Sequence, residues 1–242
     1  MEITTRWITT KLTNIILEIE RSMYYKLLMI PNKIRNGLFF FTLSNFLTRF
    51  GLNIYPYYWD KEEFIHVTEP KIKDNPAPYR VVQLTIDEIG IMNKVLGIAP
   101  GKLENDIQEG HLCLGLKHKN KIVSMVFAKT QNFIYKERNI KLNNDQAYIY
   151  NLYTLEEHRG KNLAPYLRYQ LYKTLEKMGV KEIYCITGYL NKPSLKSNRK
   201  LSIWHKQLFL YVGLFKKYHW HFKLKDYGAT QIGRLVPSSS SN

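Results

Sequence analysis

Ala147-Tyr148-Ile149-Tyr150-Asn151-Leu152-Tyr153-Thr154, followed after three intervening residues by His158-Arg159-Gly160-Lys161-Asn162-Leu163-Ala164-Pro165, is the stretch on which the fold turns. Its first part has the aromatic and β-branched content of a half-buried strand. Its second part is a small, basic, Gly-containing loop that opens a helix predicted over residues 165–178. A strand that turns through such a loop into a helix leaves several backbone N–H groups directed at one spot, where the helix dipole also favours negative charge. The expected ligand is an anion, and a phosphate suits the chemistry best.

Downstream, Leu167, Leu171, Leu175 and Met178 share one helix face and Gly179 supplies a left-handed cap. A short buried strand follows at 182–187, then a helix at 194–201 and strands at 207–214 and 218–224. Upstream, 79–85 reads as a strand, 87–96 and 102–108 as helices, and 111–117 with 121–128 as a hairpin turning at Lys119-Asn120. Residues 136–145 read as a polar loop. The Pro- and Tyr-rich segment 54–78 has the composition of an exposed connector, which places a boundary after residue 77. Before it, helices are expected at 7–30 and 33–50, and a Ser-rich tail closes the chain over 234–242. The expectation is therefore a helical and aromatic extension (1–77) joined to an α+β, mixed α/β domain (78–233) with a mostly antiparallel sheet flanked by helices.

The formal charge of +16 is unevenly spread, since residues 1–77 carry 10 Lys/Arg against 8 Asp/Glu. Nine Lys/Arg and no acid fall between Ile183 and Lys225, a surface that attracts anions. Phosphorylated cofactors, acidic acceptors, anionic membranes and nucleic acid all satisfy that requirement. Cys113 and Cys185 lie in apolar runs without metal-ligand spacing and read as reduced core thiols of a cytoplasmic protein. The N-terminus lacks the pattern of a secretion signal, and Leu38 to Leu43 is too short to cross a bilayer. Residues 33–59, which include Tyr55-Pro56-Tyr57-Tyr58-Trp59, would either pack on the following domain or rest on the inner face of a membrane. His219 and His221 share a strand face, but without a third ligand no metal site is expected.

Residues 79–225 resemble the GNAT superfamily of acyl-CoA-dependent N-acetyltransferases. The resemblance rests on Arg159-Gly160-Lys161-Asn162-Leu163-Ala164, which follows the family's Arg/Gln-x-x-Gly-x-Gly/Ala loop with Asn162 in place of the central glycine, and on Asn191-Lys192-Pro193-Ser194. It implies that the loop's N–H groups, including those of Leu163 and Ala164, hold the pyrophosphate of acetyl-CoA or a related acyl-CoA. It further implies that the backbone of Leu152, Tyr153 and Thr154 borders the pantetheine arm, with Asn191 and Ser194 beside it. Asn191 and Ser194 equally suit a plain helix cap. The helix tyrosine that several relatives use as an acid is replaced by Asn198.

Acyl transfer from a thioester to an amine needs a neutral amine, donors for the carbonyl oxygen and a proton for the leaving thiolate. Tyr150, Tyr153 and Glu157 are the candidate proton-transfer groups. Strand alternation places Tyr148 and Tyr150 on one face and Asn151 and Tyr153 on the other, unless a bulge resets the register. The expected function is N-acetyl transfer to a small-molecule amine or amino sugar. A non-catalytic acyl-CoA-binding sensor is the alternative, and a nucleic-acid-binding protein has only the charge behind it.

Overall fold

A computed structural model describes residues 46–65, 67–73, 78–96, 98–201 and 203–228, together with Leu43. The elements in chain order are β1 (Leu52–Glu62), β2 (Tyr79–Gln83), α1 (Ile86–Leu96), α2 (Lys102–Gln108), β3 (Leu112–His118) and β4 (Lys121–Lys129). There follow β5 (Phe133–Tyr135), β6 (Arg138–Ile140), β7 (Gln146–Thr154), a 3₁₀ turn (Glu156–His158), α3 (Leu163–Lys177), β8 (Glu182–Gly188), α4 (Lys192–Arg199), β9 (Ile203–Leu214) and β10 (Tyr218–Asp226). Eight strands form one sheet in the order β10-β9-β1-β8-β7-β4-β3-β2, in which only β7 and β8 pair in parallel. This is the expected mixed α+β architecture, with a mostly antiparallel sheet between helical layers.

Leu163, Leu167, Leu171 and Leu175 recur every fourth residue along α3, so one helical stripe is buried against Ala147, Ile149, Ile183 and Cys185 of the sheet. Met178 lies past the helix end and is exposed. On the opposite face, Ile89 of α1 and Leu103 of α2 pack over Leu84, Met125 and Phe127. Both cysteines are buried and unpaired.

The first half of the supposed connector 54–78 is β1, an inner strand between β9 and β8, so the sheet begins before the boundary expected after residue 77. Tyr57 is 1% exposed there, and the aromatic run Tyr55 to Trp59 is built into the sheet rather than offered to a membrane. Of the helix expected at 33–50 only Leu43 and residues 46–50 fall among the described residues, with 43 and 46–49 helical; the helix at 7–30 and the tail at 234–242 lie outside them. The polar loop at 136–145 begins inside a small hairpin, β5–β6, whose turn residues Lys136 and Glu137 take φ of 48° and 65°.

β7 contains the bulge that resets its register. Asn151 takes a φ of 50°, and pairing with β4 steps from Phe127↔Tyr150 to Met125↔Tyr153, an extra residue on β7. Asn tolerates this left-handed geometry better than other side-chain-bearing residues. Alternation consequently fails across the bulge: Tyr150 and Tyr153 both pack against the layer under α1 and α2, while Leu152 turns to the α3 side.

β7 and β8 pair only from Gln146↔Glu182 to Ile149↔Cys185 and part beyond. Glu182 staples the paired end. Its carboxylate accepts from Lys61 of β1 (2.6 Å), Gln146 of β7 (2.7 Å) and Tyr184 (2.8 Å). The Lys61 bond is the chief cause that holds its pKa down to about 2. An unfolded Glu titrates near ~4.3, so this group stabilises the fold above that pH and the contribution is lost as pH falls toward 2. Because the side chain is one-third exposed, solvent screening reduces the effect to about 1 kcal/mol. Glu182→Gln should therefore lower unfolding stability by about that amount at pH 7 and by much less at pH 2.5; a gap independent of pH would refute the assignment.

Candidate active site

Where β7 and β8 separate, the sheet opens into a cleft of about 770 Å³. β7 contributes Ile149 to Thr154, β8 contributes Cys185 to Gly188, the loop into α3 forms one end and α4 forms a side wall. Among the described residues its lining includes no aspartate or glutamate, whereas Arg159, Arg168, Lys196 and Lys200 all border it. A ligand entering here meets a positive, carboxylate-free surface.

The loop has the geometry that an anion requires. Gly160 and Asn162 take φ of 82° and 68°, and Asn162 is the N-cap of α3. A Cβ on Gly160 would meet no protein atom within 4 Å, so the backbone angle, not crowding, calls for glycine. Asn162 reaches the same left-handed region that a glycine would supply, which explains how the substituted position keeps its shape. Its side chain also ties the loop down: Nδ2 donates to the Lys71 carbonyl (2.9 Å), Oδ1 accepts from Lys200 Nζ (3.4 Å), and Lys73 N–H donates to the Lys161 carbonyl (3.0 Å). The first intrahelical bond recorded for α3 is Tyr166 N–H to the Asn162 carbonyl, so the N–H groups of the preceding turn face outward from the helix end.

Arg159 is turned back on its own loop, with Nε on the Thr154 carbonyl (3.1 Å) and a terminal nitrogen on Glu156 (3.0 Å). It fixes the strand end and leaves anion binding to the backbone. Asn191 accepts from Ser194 N–H (3.2 Å), so the capping role expected of this pair is present, while both residues also line the cleft. Leu152, Tyr153, Thr154, Gly160, Asn162, Leu163 and Ala164 border it as well. Lys161 and Glu157 do not. Glu157 is exposed and lies 3.6 Å from His158, so it is unsuited to proton transfer inside the cleft.

Beneath the cleft, Arg168 of α3 is buried and forks onto Glu62 of β1, donating from Nε at 2.8 Å and also from a terminal nitrogen. Tyr172 donates to the same carboxylate. Asn198 accepts from Arg168 (3.3 Å) and donates to Thr187 (2.9 Å). The residue that replaces the helix tyrosine is thus a buried spacer.

At the other end stands Tyr150, whose hydroxyl lies 2.7 Å from His111 Nδ1. Burial, reinforced by Asp106, raises the phenol pKa well above its ordinary value. Burial, with Lys129 nearby, lowers that of His111. Both are neutral at pH 7, and burial opposes protonation of the imidazole. Asp106 lies 3.6 Å from Nδ1 and exposed Glu109 lies 3.8 Å from Nε2. His111 escaped the sequence reading because 39 positions separate it from Tyr150 and only the antiparallel sheet joins them. His219 and His221, which share a strand face, meet Tyr211 and Tyr57 respectively, each at 2.9 Å.

Residues 55–201 match the model of the Acetyltransferase (GNAT) family. A comparison with curated proteins finds no match in sequence. Among solved structures, a glucosamine N-acetyltransferase region of a fungal multi-domain β-N-acetylglucosaminidase superposes with a TM-score of 0.52 at 10% identity, covering 75% of this chain and 22% of that one. A Drosophila protein gives 0.51 at 10% identity over 73% of this chain and 57% of its own length. A GNAT-family acetyltransferase of Novosphingobium aromaticivorans gives 0.48 at 15% identity over 68% and 66%. The chain thus spans little more than half the length of the Drosophila protein, and these likenesses concern the fold. With the family match running from β1 through α4, the chain belongs to the GNAT acetyltransferases.

Proposed function

We propose that this protein transfers an acyl group, normally acetyl, from acyl-CoA to the amine of a small molecule or amino sugar by direct attack. The observation that carries the reading is the cleft between parted β7 and β8, with the left-handed loop and α3 N-terminus at one end and the Tyr150–His111 pair at the other. The residues present fit the donor: the loop Arg159 to Ala164 and the lysines of the wall suit a pyrophosphate, and the backbone of Leu152 to Thr154 suits an extended amide-bearing arm. When bound, the acyl-CoA supplies the activated thioester carbonyl.

The chain's own part is orientation and proton movement. Tyr150 Oη takes a proton from the acceptor nitrogen as its own proton passes to His111 Nδ1, so the phenol never becomes an anion, and the departing thiolate is protonated from water. The imidazolium formed is flanked by Asp106 and Glu109, and exposed Glu109 offers an outlet to water. Among the described residues no helix is long and apolar enough to cross a membrane, and the two buried thiols suit a reducing compartment, in keeping with a cytoplasmic enzyme.

Calorimetry with CoA followed by thiol-release assays with acetyl-CoA and a panel of amines tests this reading. Binding with turnover supports it. A folded protein that gives no heat with CoA overturns it, and binding without turnover on any amine favours the sensor alternative.

A further inference from the structure

The cations that line the cleft beside the loop have a pyrophosphate to account for them; Lys136 and Arg138, which lie outside the cleft lining behind the ring of Tyr55, do not. Tyr55 lines the cleft, and its hydroxyl lies so close to Gly188 that a Cβ there would collide with it. Over this ring sits Lys136 from the β5–β6 turn, its Nζ 4.7 Å from the centroids of both Tyr55 and Tyr211. Arg138, across the turn, places its guanidinium 4.2 Å above Phe209 and donates to Tyr57 Oη at 3.4 Å. Both side chains are half-buried, and among the described residues neither has a carboxylate within ion-pairing distance. Desolvating a cation without a counter-ion is unfavourable, and aromatic faces compensate only in part. The arrangement makes physical sense if a ligand brings the missing anion.

We propose that Lys136 and Arg138 form an anion subsite for the acceptor, whose amine is accompanied by a phosphate or a carboxylate. The inference rests on the acyl-transfer reading and narrows its acceptor. The same cations, with a carboxylate-free cleft wall, repel polycationic amines. Burial lowers the pKa of Lys136, as expected of an ammonium waiting for its partner.

The test compares acetyl-CoA-dependent acylation of glucosamine, glucosamine 6-phosphate, muramic acid and kanamycin by the full chain. One of the two anionic amino sugars should be used with kcat/KM about tenfold or more above that of glucosamine, and which one identifies the anion. In the K136Q/R138Q variant the preference should collapse toward unity through KM, while the Kd for CoA stays unchanged. Equal use of glucosamine, better use of kanamycin, or an undiminished preference in the variant overturns the subsite. If no amine is turned over, calorimetry of glucosamine 6-phosphate and muramic acid with CoA-loaded protein decides the point separately. Binding of either that disappears in K136Q/R138Q upholds the subsite, and absence of binding by both sinks it.

Discussion

Arg168→Met is expected to destabilise the fold by about 3–5 kcal/mol, because it leaves the Glu62 carboxylate buried without its cation. Glu62 is 1% exposed and Arg168 is 5% exposed, so water cannot take over the role. Tyr172 and backbone dipoles remain, but a phenol donor does not balance a charge. For a domain of this size the loss should lower the thermal midpoint by roughly 6–20 °C. The double variant E62M/R168M separates charge from packing. Replacing both partners with apolar residues removes the desolvation penalty, so it should regain at least half of what the single variant lost. Chemical denaturation of the three proteins measures this. An Arg168→Met variant within 1 kcal/mol of the parent would mean that Glu62 is protonated or hydrated instead. The pair also connects α3 to β1 directly below the cleft, so the same change should loosen the floor on which Thr187 and Asn198 rest.

How much of this was legible in the sequence follows from the range of the interactions involved. The loop Arg159 to Ala164 and helix α3 are local: a breaker, a run of small residues and leucines every fourth position write them into contiguous sequence. β1 was not, because Pro56 within a Tyr-rich run argues against an inner strand. The register resolves the contradiction, since ladder pairing with β8 starts at Tyr57 and Pro56 sits at its margin, where its carbonyl accepts from Tyr189 N–H (3.0 Å). The Asn151 bulge carries no signal beyond one Asn in a strand, yet it decides which tyrosine faces which layer. Glu62–Arg168, 106 positions apart, and His111–Tyr150 exist only once the sheet is assembled. Cofactor-side residues were therefore readable as a motif, while the proton-handling and acceptor-side groups required the topology.

Tyr150→Phe is expected to lower kcat by about 10²–10³-fold with little change in the Kd for CoA, since the ring keeps its packing and only the hydroxyl is lost. Tyr150 stacks on Tyr148 at 5.8 Å and packs on Phe127, and phenylalanine retains both contacts. Removing the hydroxyl breaks the route from the acceptor amine to His111 Nδ1, so the amine must lose its proton to water. His111→Gln keeps a hydrogen-bond partner for the phenol but cannot accept a proton, and it should produce a comparable loss. The pH profiles distinguish a proton route from a simple positioning role. In the parent, activity should fall on the acid side as His111 becomes protonated, at a pH below that of an ordinary histidine because burial opposes its charge. Both variants should lose that inflection. If either variant keeps the parent's kcat, or the acid limb persists unchanged in His111→Gln, then the pair is packing and the reaction proceeds by approximation of donor and acceptor alone. The same experiment bears on Tyr153, which shares the layer but has its ring under Arg159 at 5.6 Å. Tyr153→Phe should leave kcat within about threefold of the parent, because the bulge at Asn151 sets its hydroxyl three residues further along β7, away from His111.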